Sequence, residues 1–368
     1  MVRTDDAPER IDLGWIDDPR DAVHRVAACL AQGGVAGFSS GASAPTRAAS
    51  LWSVPALTKL VGSVQRGETR PALALRGPAE IEDWWPAIGE PGRRFVRRGW
   101  NRPIVLLVPA GDDGLATRLP TKAADALILD GTIAIDLQVP AILREAIGLV
   151  PGPMVVASGH PGVDTPSTAG IVDLIVEGGS RGAQSVTTTV WVGEERWDIV
   201  RPGDLDSAAI QAMSSLVLLF VCTGNTCRSP MAEAICKSLL AKRLRCSIGD
   251  LADRGYLVRS AGVNAARGDE AATHARSVVA AIGGNLDGHA SRPITPQLLD
   301  DADWIVGLTR DHIETIFELD PSLGPKLRLL RSDGDDVEDP YGSNLARYQA
   351  TAREIEEHLA TLLDSLIL

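Results

Sequence analysis

A cysteine and an arginine that could together handle phosphate lie at the two ends of one short polar segment. Cys222 and Arg228 are separated by five residues, which include Gly224 and Asn225. A loop of this length can wrap a tetrahedral anion, with a thiol nucleophile at one end and a guanidinium that clamps two oxygens at the other. Gly224 and Asn225 tolerate positive φ, so that successive backbone N–H groups can converge on the anion. The spacing predicts a phosphate-binding loop in which Cys222 attacks phosphorus.

The flanking segments predict the elements that hold this loop. Residues 216–221 are uniformly apolar, as expected for a parallel strand that is buried on both faces. Ser229 and Pro230 then favour the start of a helix, with Ser229 as its N-cap. Such a helix points unpaired N–H groups and positive dipole charge into the loop, which stabilises a bound phosphate and a Cys222 thiolate.

Thiolate attack also needs an acid that protonates the leaving group. Asp339 precedes Pro340, and a residue before proline is held extended, outside the helix that follows. General-acid catalysis by such a carboxyl group is typically worth about 10²–10⁴ in rate. The neighbouring Asp333, Asp335 and Asp336 fit solvated loop carboxylates better. Asp339 is therefore the predicted general acid.

Length and composition indicate a globular chain with more than one domain. The chain has 368 residues and is 45% hydrophobic and 23% charged, which excludes a disordered or fibrous protein. Strand-like runs alternate with amphipathic helices on both sides of a polar segment at 204–215, which is the predicted linker. Residues 10–203 therefore predict an α/β domain. Residues 216–368 predict a doubly wound parallel sheet, where functional residues lie at the carboxyl ends of the strands.

Charge and cysteine content narrow the class of protein further. The formal net charge of −12 argues against general nucleic-acid binding through phosphate neutralisation. Four of the five cysteines lie between positions 222 and 246, which predicts reduced thiols instead of a disulfide framework. The scattered histidines predict no metal site. No apolar run approaches the roughly 20 residues of a membrane span, and the charged N-terminus shows no secretory signal, so we expect a cytoplasmic protein.

Residues 216–368 resemble the low-molecular-weight protein tyrosine phosphatase family. The resemblance rests on the Cys-x5-Arg-Ser loop directly after the first strand, on the late Asp-Pro pair and on two further motifs. These motifs are Ser260-Ala261-Gly262 after a strand, and the spacing of Asp303, Thr309 and His312. The resemblance implies a protein phosphatase without metal or cofactor, which forms a phosphocysteine intermediate with a phosphorylated protein substrate.

The site residues of the family carry over to matching positions of this sequence. Cys222 is the implied nucleophile, Arg228 the phosphate ligand and Asp339 the general acid. Ser229 is the implied hydroxyl donor to the thiolate, and Asn225 organises the loop. The implied phosphate-binding set is Thr223, Gly224, Asn225, Thr226, Cys227, Arg228 and Ser229.

Thr226 and Cys227 each leave two interpretations open. Tyrosine-specific members of the family usually carry an aliphatic residue at the position of Thr226, whereas the loop of bacterial protein-arginine phosphatases is similar to this one. The substrate class is therefore phosphoarginine or phosphotyrosine. Cys227 is either a resolving thiol that forms a reversible disulfide with Cys222, as the resemblance implies, or a small buried residue at the base of the loop.

Residues 10–203 resemble, in degenerate form, the YrdC-like threonylcarbamoyl-AMP synthase family. The landmarks are residues 33–38, 70–71, 102–109, 157–160, 172–179 and 200–203. Residues 39–45 replace the family's Pro-Thr-x-Thr-x-Tyr-Gly stretch, Val64 replaces a lysine beside the retained Arg66, and Gln138 replaces a pocket arginine. Because these losses undermine ATP binding, the resemblance implies a degenerate binding or regulatory domain.

An alternative function assigns the main chemistry to the first domain. In this interpretation the protein is a tRNA threonylcarbamoyladenosine-type synthase, or an RNA- or nucleotide-binding protein, and the phosphatase-like domain is ancillary. A basic cluster could contact RNA, since arginine and aromatic side chains stack on bases; otherwise it is a helix with a solvated arginine face. The cluster comprises Arg93, Arg94, Phe95, Arg97, Arg98, Trp100 and Arg102.

Overall fold

The chain divides into two compact units, Met1–Met213 and Ser214–Leu368. A computed structural model describes residues 7–39, 46–64, 70–85, 88–111, 117, 119–158, 170–178 and 186–365. Over these described ranges, no helix combines the length and the apolar character needed to cross a membrane.

A mixed β-sheet forms the centre of the first unit. Its strands are β1 (Glu9–Asp12), β2 (Val35–Ser39), β3 (Thr46–Ser50), β4 (Ala72–Ala74), β5 (Ile104–Pro109), β6 (Thr132–Asp136), β7 (Met154–Ser158), β8 (Leu174–Glu177), β9 (Thr188–Val192) and β10 (Trp197–Arg201). Among the described residues, ten strands pair in the order β1-β8-β2-β3-β7-β4-β6-β5-β9-β10. Strand β2 is parallel to β8 and antiparallel to β3. The structure confirms a mixed α/β class for this part of the chain.

Helices cover both faces of this sheet. They are α1 (Pro19–Ala31), α2 (Val54–Gly62), α3 (Ile81–Trp84), α4 (Glu90–Gly99), α5 (Thr121–Leu127), α6 (Ala141–Ile147) and α7 (Ser207–Ser214). Successive residues of β7, Val155 and Val156, belong to two different hydrophobic clusters, as side chains that alternate across a sheet must. Leu60 of α2 packs in the cluster of Val155, and Leu30 of α1 packs in the cluster of Val156.

Most of the predicted linker is instead a helix in the core of the first unit. Within residues 204–215, α7 buries Ile210 and Met213 in the same hydrophobic cluster that receives α4. The Asp206 carboxylate accepts a hydrogen bond from the backbone N–H of Ala209 at 2.7 Å and so caps the helix. The prediction of a linker was based on the polar residues of this segment. It missed the i, i+3 spacing of Ile210 and Met213, which places both side chains on one helix face.

The basic cluster lies on and directly after α4 and is largely packed against protein. Phe95 is fully buried and meets the Trp197 ring edge-on, with 5.5 Å between the ring centroids, so it is not available to stack on a base. Arg93 forms ion pairs with Glu82 and Glu90, and the other arginines of α4 are only partly exposed. The burial of Phe95 corrects the part of the RNA-stacking prediction that rests on this ring, and the partial burial of the α4 arginines corrects the prediction of a solvated arginine face. Because the apolar side of α4 packs in the hydrophobic core, the arginines of this helix lie close to neighbouring elements and are partly buried.

A parallel sheet forms the centre of the second unit, as the sequence predicted. Its strands are β11 (Leu216–Cys222), β12 (Tyr256–Gly262), β13 (Trp304–Gly307) and β14 (Leu327–Leu329). The helices are α8 (Arg228–Leu244), α9 (Thr273–Ala281), α10 (Pro296–Asp301), α11 (Arg310–Leu319) and α12 (Leu345–Asp364). In this part of the described chain, all four strands are parallel, in the order β12-β11-β13-β14.

The apolar strand β11 is buried on both faces, which explains its uniform composition. Leu218 and Phe220 pack in one hydrophobic cluster, while Leu219 and Val221 pack in the other. Because β11 lies between β12 and β13, the carboxyl ends of all three strands meet at one edge of the sheet. The last residue of β11, Cys222, lies there in register with Gly262 of β12.

Candidate active site

The Cys222 thiol occupies the end of β11 and is held by two hydrogen-bonding groups of the following loop. Its Sγ accepts a hydrogen bond from the backbone N–H of Asn225 at 3.3 Å. The Ser229 hydroxyl oxygen lies 2.9 Å from the same sulfur. One backbone N–H and one neighbouring hydroxyl therefore hold the Cys222 sulfur in place at the start of the loop.

Asn225 fixes the conformation of the loop from within. Its backbone has a φ of +55°, whereas Gly224 does not use the positive-φ conformation that the sequence allowed for it. The buried Asn225 side chain donates through Nδ2 to the hydroxyls of Ser229 and Ser260, each at 3.0 Å. Its Oδ1 accepts the backbone N–H of Arg292 at 2.9 Å. The carboxamide therefore ties the loop to the start of α8 and the end of β12.

The hydrogen-bond chain continues to a carboxylate that the sequence analysis did not single out. The Ser260 hydroxyl donates to Glu233 Oε2 at 2.6 Å, and the Lys237 ammonium pairs with the other carboxylate oxygen at 2.5 Å. Glu233 lies on α8, and Lys237 lies one turn further along the same helix. The Ser260-Ala261-Gly262 motif was a signal for this contact, but the sequence did not show which partner Ser260 faces.

Helix α8 begins two residues earlier than predicted. Cys227 occupies the N-cap position, and Arg228 is the first helical residue. The prediction that Ser229 caps the helix is therefore wrong, because its hydroxyl lies within 3.2 Å of the Ala261 carbonyl oxygen as well as beside Cys222. Ser229 nevertheless lies where the family resemblance implied a hydroxyl next to the thiol.

Arg228 closes the loop opposite Cys222 and joins it to the segment that carries Asp339. The guanidinium is nearly buried and donates through Nη2 to Asp339 Oδ2 at 2.6 Å and through Nη1 to the Val337 carbonyl at 3.2 Å. Asp339 is about half exposed, and its other oxygen accepts the backbone N–H of Tyr341 at 3.2 Å. The structure thus brings together the three residues predicted to be catalytic.

The neighbouring aspartates have other partners. Asp333 forms an ion pair with Arg331, whose hydrogen bonds hold the pKa of this carboxyl group well below its usual range. Asp336 accepts the backbone N–H of Arg310 at 2.8 Å, at the start of α11. Both therefore organise the surrounding loops, which agrees with the prediction that they are not the acid.

His312 is a buried imidazole beside the loop. Its Nδ1 lies 2.8 Å from the Thr309 hydroxyl oxygen, and its Nε2 lies 3.0 Å from the hydroxyl oxygen of Thr223. Burial, and next the positive charge of Arg228, lower the pKa of His312 to about 4. The imidazole is therefore neutral at neutral pH.

Cys227 is buried behind the loop. Its Sγ lies 3.2 Å from the Tyr348 hydroxyl oxygen and 3.7 Å from that of Thr226. Burial raises the pKa of the Cys227 thiol, so that it stays protonated at neutral pH. Tyr348 belongs to α12, and no signal in the sequence pointed to this contact. In the portion of the chain that the structure describes, no three His, Cys, Asp or Glu side chains form a metal-binding group.

Comparison with known proteins places this site in a family of enzymes. Residues 217–367 match the sequence model described as low molecular weight phosphotyrosine protein phosphatase. The protein-arginine-phosphatase of Bacillus subtilis is 37% identical over 154 residues, which cover 40% of this chain and 95% of that protein. The low molecular weight protein-tyrosine-phosphatase Etp of Escherichia coli is 34% identical over 126 residues, which cover 34% of this chain and 76% of that protein. A solved structure of the arginine phosphatase of Geobacillus stearothermophilus is 35% identical, covers 41% of this chain and 92% of its own, and gives a TM-score of 0.36.

The close approach of β12 to the anion-binding loop depends on the absence of a side chain at Gly262. A methyl group on its Cα would lie 2.4 Å from the Thr223 carbonyl oxygen and 3.0 Å from the Asn225 backbone nitrogen. We expect Gly262→Ala to lower the free energy of unfolding by about 1–3 kcal/mol, since overpacking of this kind forces backbone shifts. It should also weaken the binding of inorganic phosphate. Urea denaturation and titration calorimetry measure the two effects.

Gly249→Ala is the matched control, because the nearest atom to its added methyl group is the Ser247 hydroxyl oxygen at 3.6 Å. This variant should retain both the stability and the phosphate affinity of the parent chain. Equal behaviour of the two variants would show that the loop tolerates displacement at Gly262.

Proposed function

The chain belongs, through residues 217–367, to the low molecular weight phosphotyrosine protein phosphatase family, and on this premise we propose that it hydrolyses phosphorylated protein side chains through a phosphocysteine intermediate. One observation carries the proposal. The Cys222 sulfur accepts the Asn225 N–H in the same loop whose Arg228 pairs with Asp339. A nucleophile, an anion ligand and an acid therefore converge on one small volume.

Binding of the phosphate group is the first step. The backbone N–H groups of the loop, the positive N-terminus of α8 and the Arg228 guanidinium supply the positive potential. In the structure, Nη2 of Arg228 donates to Asp339. A phosphate that is bound by both guanidinium nitrogens therefore displaces the Asp339 carboxylate from Nη2. The displaced Asp339 then lies beside the bound phosphate, where the next step uses it as the proton donor.

The second step transfers the phosphoryl group to sulfur. The Cys222 thiolate attacks phosphorus in line, and an S–P bond forms while the bond from phosphorus to the substrate oxygen or nitrogen breaks. Asp339 gives its proton to that leaving atom. Asn225 and Ser229 hold the thiolate before the attack.

The third step restores the enzyme. The Asp339 carboxylate takes a proton from a water molecule, whose oxygen attacks the phosphocysteine. An O–P bond forms, the S–P bond breaks, and the electron pair returns to the Cys222 sulfur as a thiolate. Inorganic phosphate then leaves the loop. The two half-reactions use the same carboxyl group first as an acid and then as a base.

We propose phosphoarginine as the preferred substrate. Thr226 is half-buried in the loop, and its carbonyl oxygen accepts the backbone N–H of Ala272 at 2.9 Å, which fixes the residue in place. A threonine at this position leaves room for the narrow guanidinium chain of the substrate. Its hydroxyl can also form a hydrogen bond with the water that hydrolyses the phosphocysteine. The Bacillus subtilis relative, which is named a protein-arginine-phosphatase, supports the same assignment.

Phosphotyrosine is the second candidate substrate. Tyr341 is 77% exposed and donates its backbone N–H to Asp339, so an exposed aromatic residue follows the proposed acid closely in the chain and could pack against an aromatic substrate ring. The Escherichia coli relative Etp is named a tyrosine phosphatase.

Cys227 remains our proposed redox partner of Cys222. The two residues belong to the same loop. With peroxide as the oxidant, the Cys222 thiolate becomes a sulfenic acid, and attack by the Cys227 sulfur then forms the S–S bond as water leaves. The disulfide removes the nucleophile until an added thiol reduces it. The raised pKa of Cys227 works against rapid attack by this thiol, because the thiolate is the reactive form. We therefore propose that formation of the Cys222–Cys227 disulfide is slow unless a movement of the loop brings Cys227 towards solvent.

The degenerate YrdC-like assignment of residues 10–203 remains a proposal. Several of the positions on which it rests, namely residues 40–45, Arg66 and residues 159–160 of one landmark, lie outside the described residues. Neither the fold nor the relatives support a synthase or RNA-binding activity for the first unit. We propose that this unit has a binding or regulatory role and that the chemistry belongs to the second.

Replacing the nucleophile separates binding from turnover. Cys222→Ser should lower kcat by more than about 10³-fold, because a serine hydroxyl is not ionised at neutral pH. Vanadate binding should persist, since the loop N–H groups and Arg228 are unchanged. Steady-state kinetics and titration calorimetry measure the two properties. Cys246→Ser, at a half-buried position after α8, is the control and should retain full activity. Appreciable turnover by Cys222→Ser would remove Cys222 from its proposed role.

Removing the acid should matter most for poor leaving groups. Asp339→Asn should slow the hydrolysis of alkyl-substituted aryl phosphates by about 10²–10⁴-fold and that of nitrophenyl phosphate much less. Asp336→Asn, which alters a loop carboxylate that holds Arg310, should leave the dependence on leaving group unchanged. An equal loss for good and poor leaving groups in Asp339→Asn would assign proton transfer to another residue.

Thr226 should select the substrate. Thr226→Ile removes the hydroxyl and adds an aliphatic wall, which benefits a tyrosine ring by roughly 1–2 kcal/mol, or about 5–30-fold. We expect kcat/KM to fall for a phosphoarginine peptide and to rise for a phosphotyrosine peptide of the same sequence. Similar changes in the same direction for both peptides would show that Thr226 does not discriminate.

A further inference from the structure

One buried titratable side chain near the loop has no part in the steps above. His312 is 4% exposed and lies between two threonine hydroxyls, those of Thr309 and Thr223. Thr309 is the N-cap of α11, where its hydroxyl also accepts the backbone N–H of His312 at 3.4 Å. Thr223 is the first residue after the nucleophile. The imidazole therefore connects the start of α11 to the beginning of the anion-binding loop.

Thr223 has a second restraint on its other side. Its carbonyl oxygen accepts the backbone N–H of Asn264 at 2.9 Å, just as the Cys222 carbonyl accepts that of Val263. These bonds hold the main chain of the loop against the segment after β12. Within the described residues, the hydrogen bond to His312 is the only one that the structure shows for the Thr223 side chain.

The neutral state of the ring suits this position. A neutral imidazole has one nitrogen that donates and one that accepts, and each threonine hydroxyl can do either, so both contacts are satisfied together. The charged groups around the ring are Arg228, Asp311, Asp336 and Asp339. Burial and Arg228 oppose a second positive charge here and outweigh the three carboxylates, which keeps the imidazole neutral.

We infer that His312 is a positioning residue for phosphate binding, which fixes Thr223 and thereby the first backbone N–H groups of the loop. The inference rests on the proposed phosphatase function. An interaction that orders the loop before substrate arrives lowers the cost of binding, because the loop amides need not be immobilised by the phosphate itself. His312 acts through Thr223 and does not contact the reacting atoms.

The bond between His312 and Thr223 can be removed from either side. His312→Leu and Thr223→Val each delete one partner of this bond, and we expect each to weaken the binding of inorganic phosphate by about 3–10-fold, the effect of one hydrogen bond. KM should rise by a similar factor, with a smaller change in kcat. The double variant should be no worse than either single variant, because both remove the same bond. His312→Gln, whose amide can reach Thr223, should recover most of the affinity.

Two cap variants separate positioning from stability. Thr309→Val removes a helix N-cap and also the partner of His312 Nδ1, whereas Thr295→Val removes only the N-cap of α10, where its hydroxyl accepts the Leu298 N–H at 3.2 Å. Both should lower the free energy of unfolding by about 1 kcal/mol, a change that is converted from the measured urea midpoint. Only Thr309→Val should also weaken phosphate binding.

Calorimetry with inorganic phosphate and kinetics with a phosphopeptide, both on the full chain, decide the inference. Phosphate affinity of His312→Leu and Thr223→Val within twofold of wild type would overturn it, as would effects that multiply in the double variant. If the wild-type chain fails to hydrolyse the phosphopeptide, yet phosphate affinity falls as expected, the proposed function fails and the positioning role stands. If the wild type turns over normally and the variants match it, the positioning role alone fails.

Discussion

The buried side chain of Asn225 is the constraint on which the active site depends. Its Nδ2 and Oδ1 bind Ser229, Ser260 and the main chain of Arg292, which holds Asn225 at positive φ and turns its backbone N–H towards the Cys222 sulfur. An alanine here would remove three hydrogen bonds at once, each worth about 0.5–1.5 kcal/mol. The conformation of the phosphate-binding loop therefore depends more on the Asn225 side chain than on Gly224.

The direction of the hydrogen bonds around Asn225 has a chemical consequence. Glu233 is a carboxylate that can only accept, so the Ser260 hydroxyl must donate to it and accept from Asn225. Ser229 accepts from Asn225 in the same way, which leaves its own proton for the Cys222 sulfur or the Ala261 carbonyl. The hydrogen-bond chain that begins at the partly buried Glu233 carboxylate thus runs through Ser260 and Asn225 to Ser229, whose hydroxyl lies beside the nucleophile.

Local features of the site were predictable, whereas contacts between distant segments were not. The apolar run of β11 and the spacing of Cys222 and Arg228 indicated a strand followed by an anion loop. The pairing of Arg228 with Asp339 joins residues 111 positions apart, and no sequence pattern showed that these two side chains meet. The capping role assigned to Ser229 was wrong because local propensity favours a serine cap, while the tertiary hydrogen bonds of this hydroxyl favour another position. In the first unit, the sequences of the short strands β1, β3 and β10 lack continuous apolar character, so the pattern of apolar runs does not predict them.

The phosphocysteine intermediate is the central claim, and direct trapping tests it. The full chain is mixed with a phosphoarginine peptide, and in parallel with a phosphotyrosine peptide, then quenched in denaturant within milliseconds and digested. Tandem mass spectrometry locates any phosphate bound to the protein. The account predicts phosphate on Cys222 with at least one peptide, formed and lost at rates compatible with turnover. Steady release of inorganic phosphate with no phosphate on Cys222 at any time, or with phosphate on another residue, would contradict it.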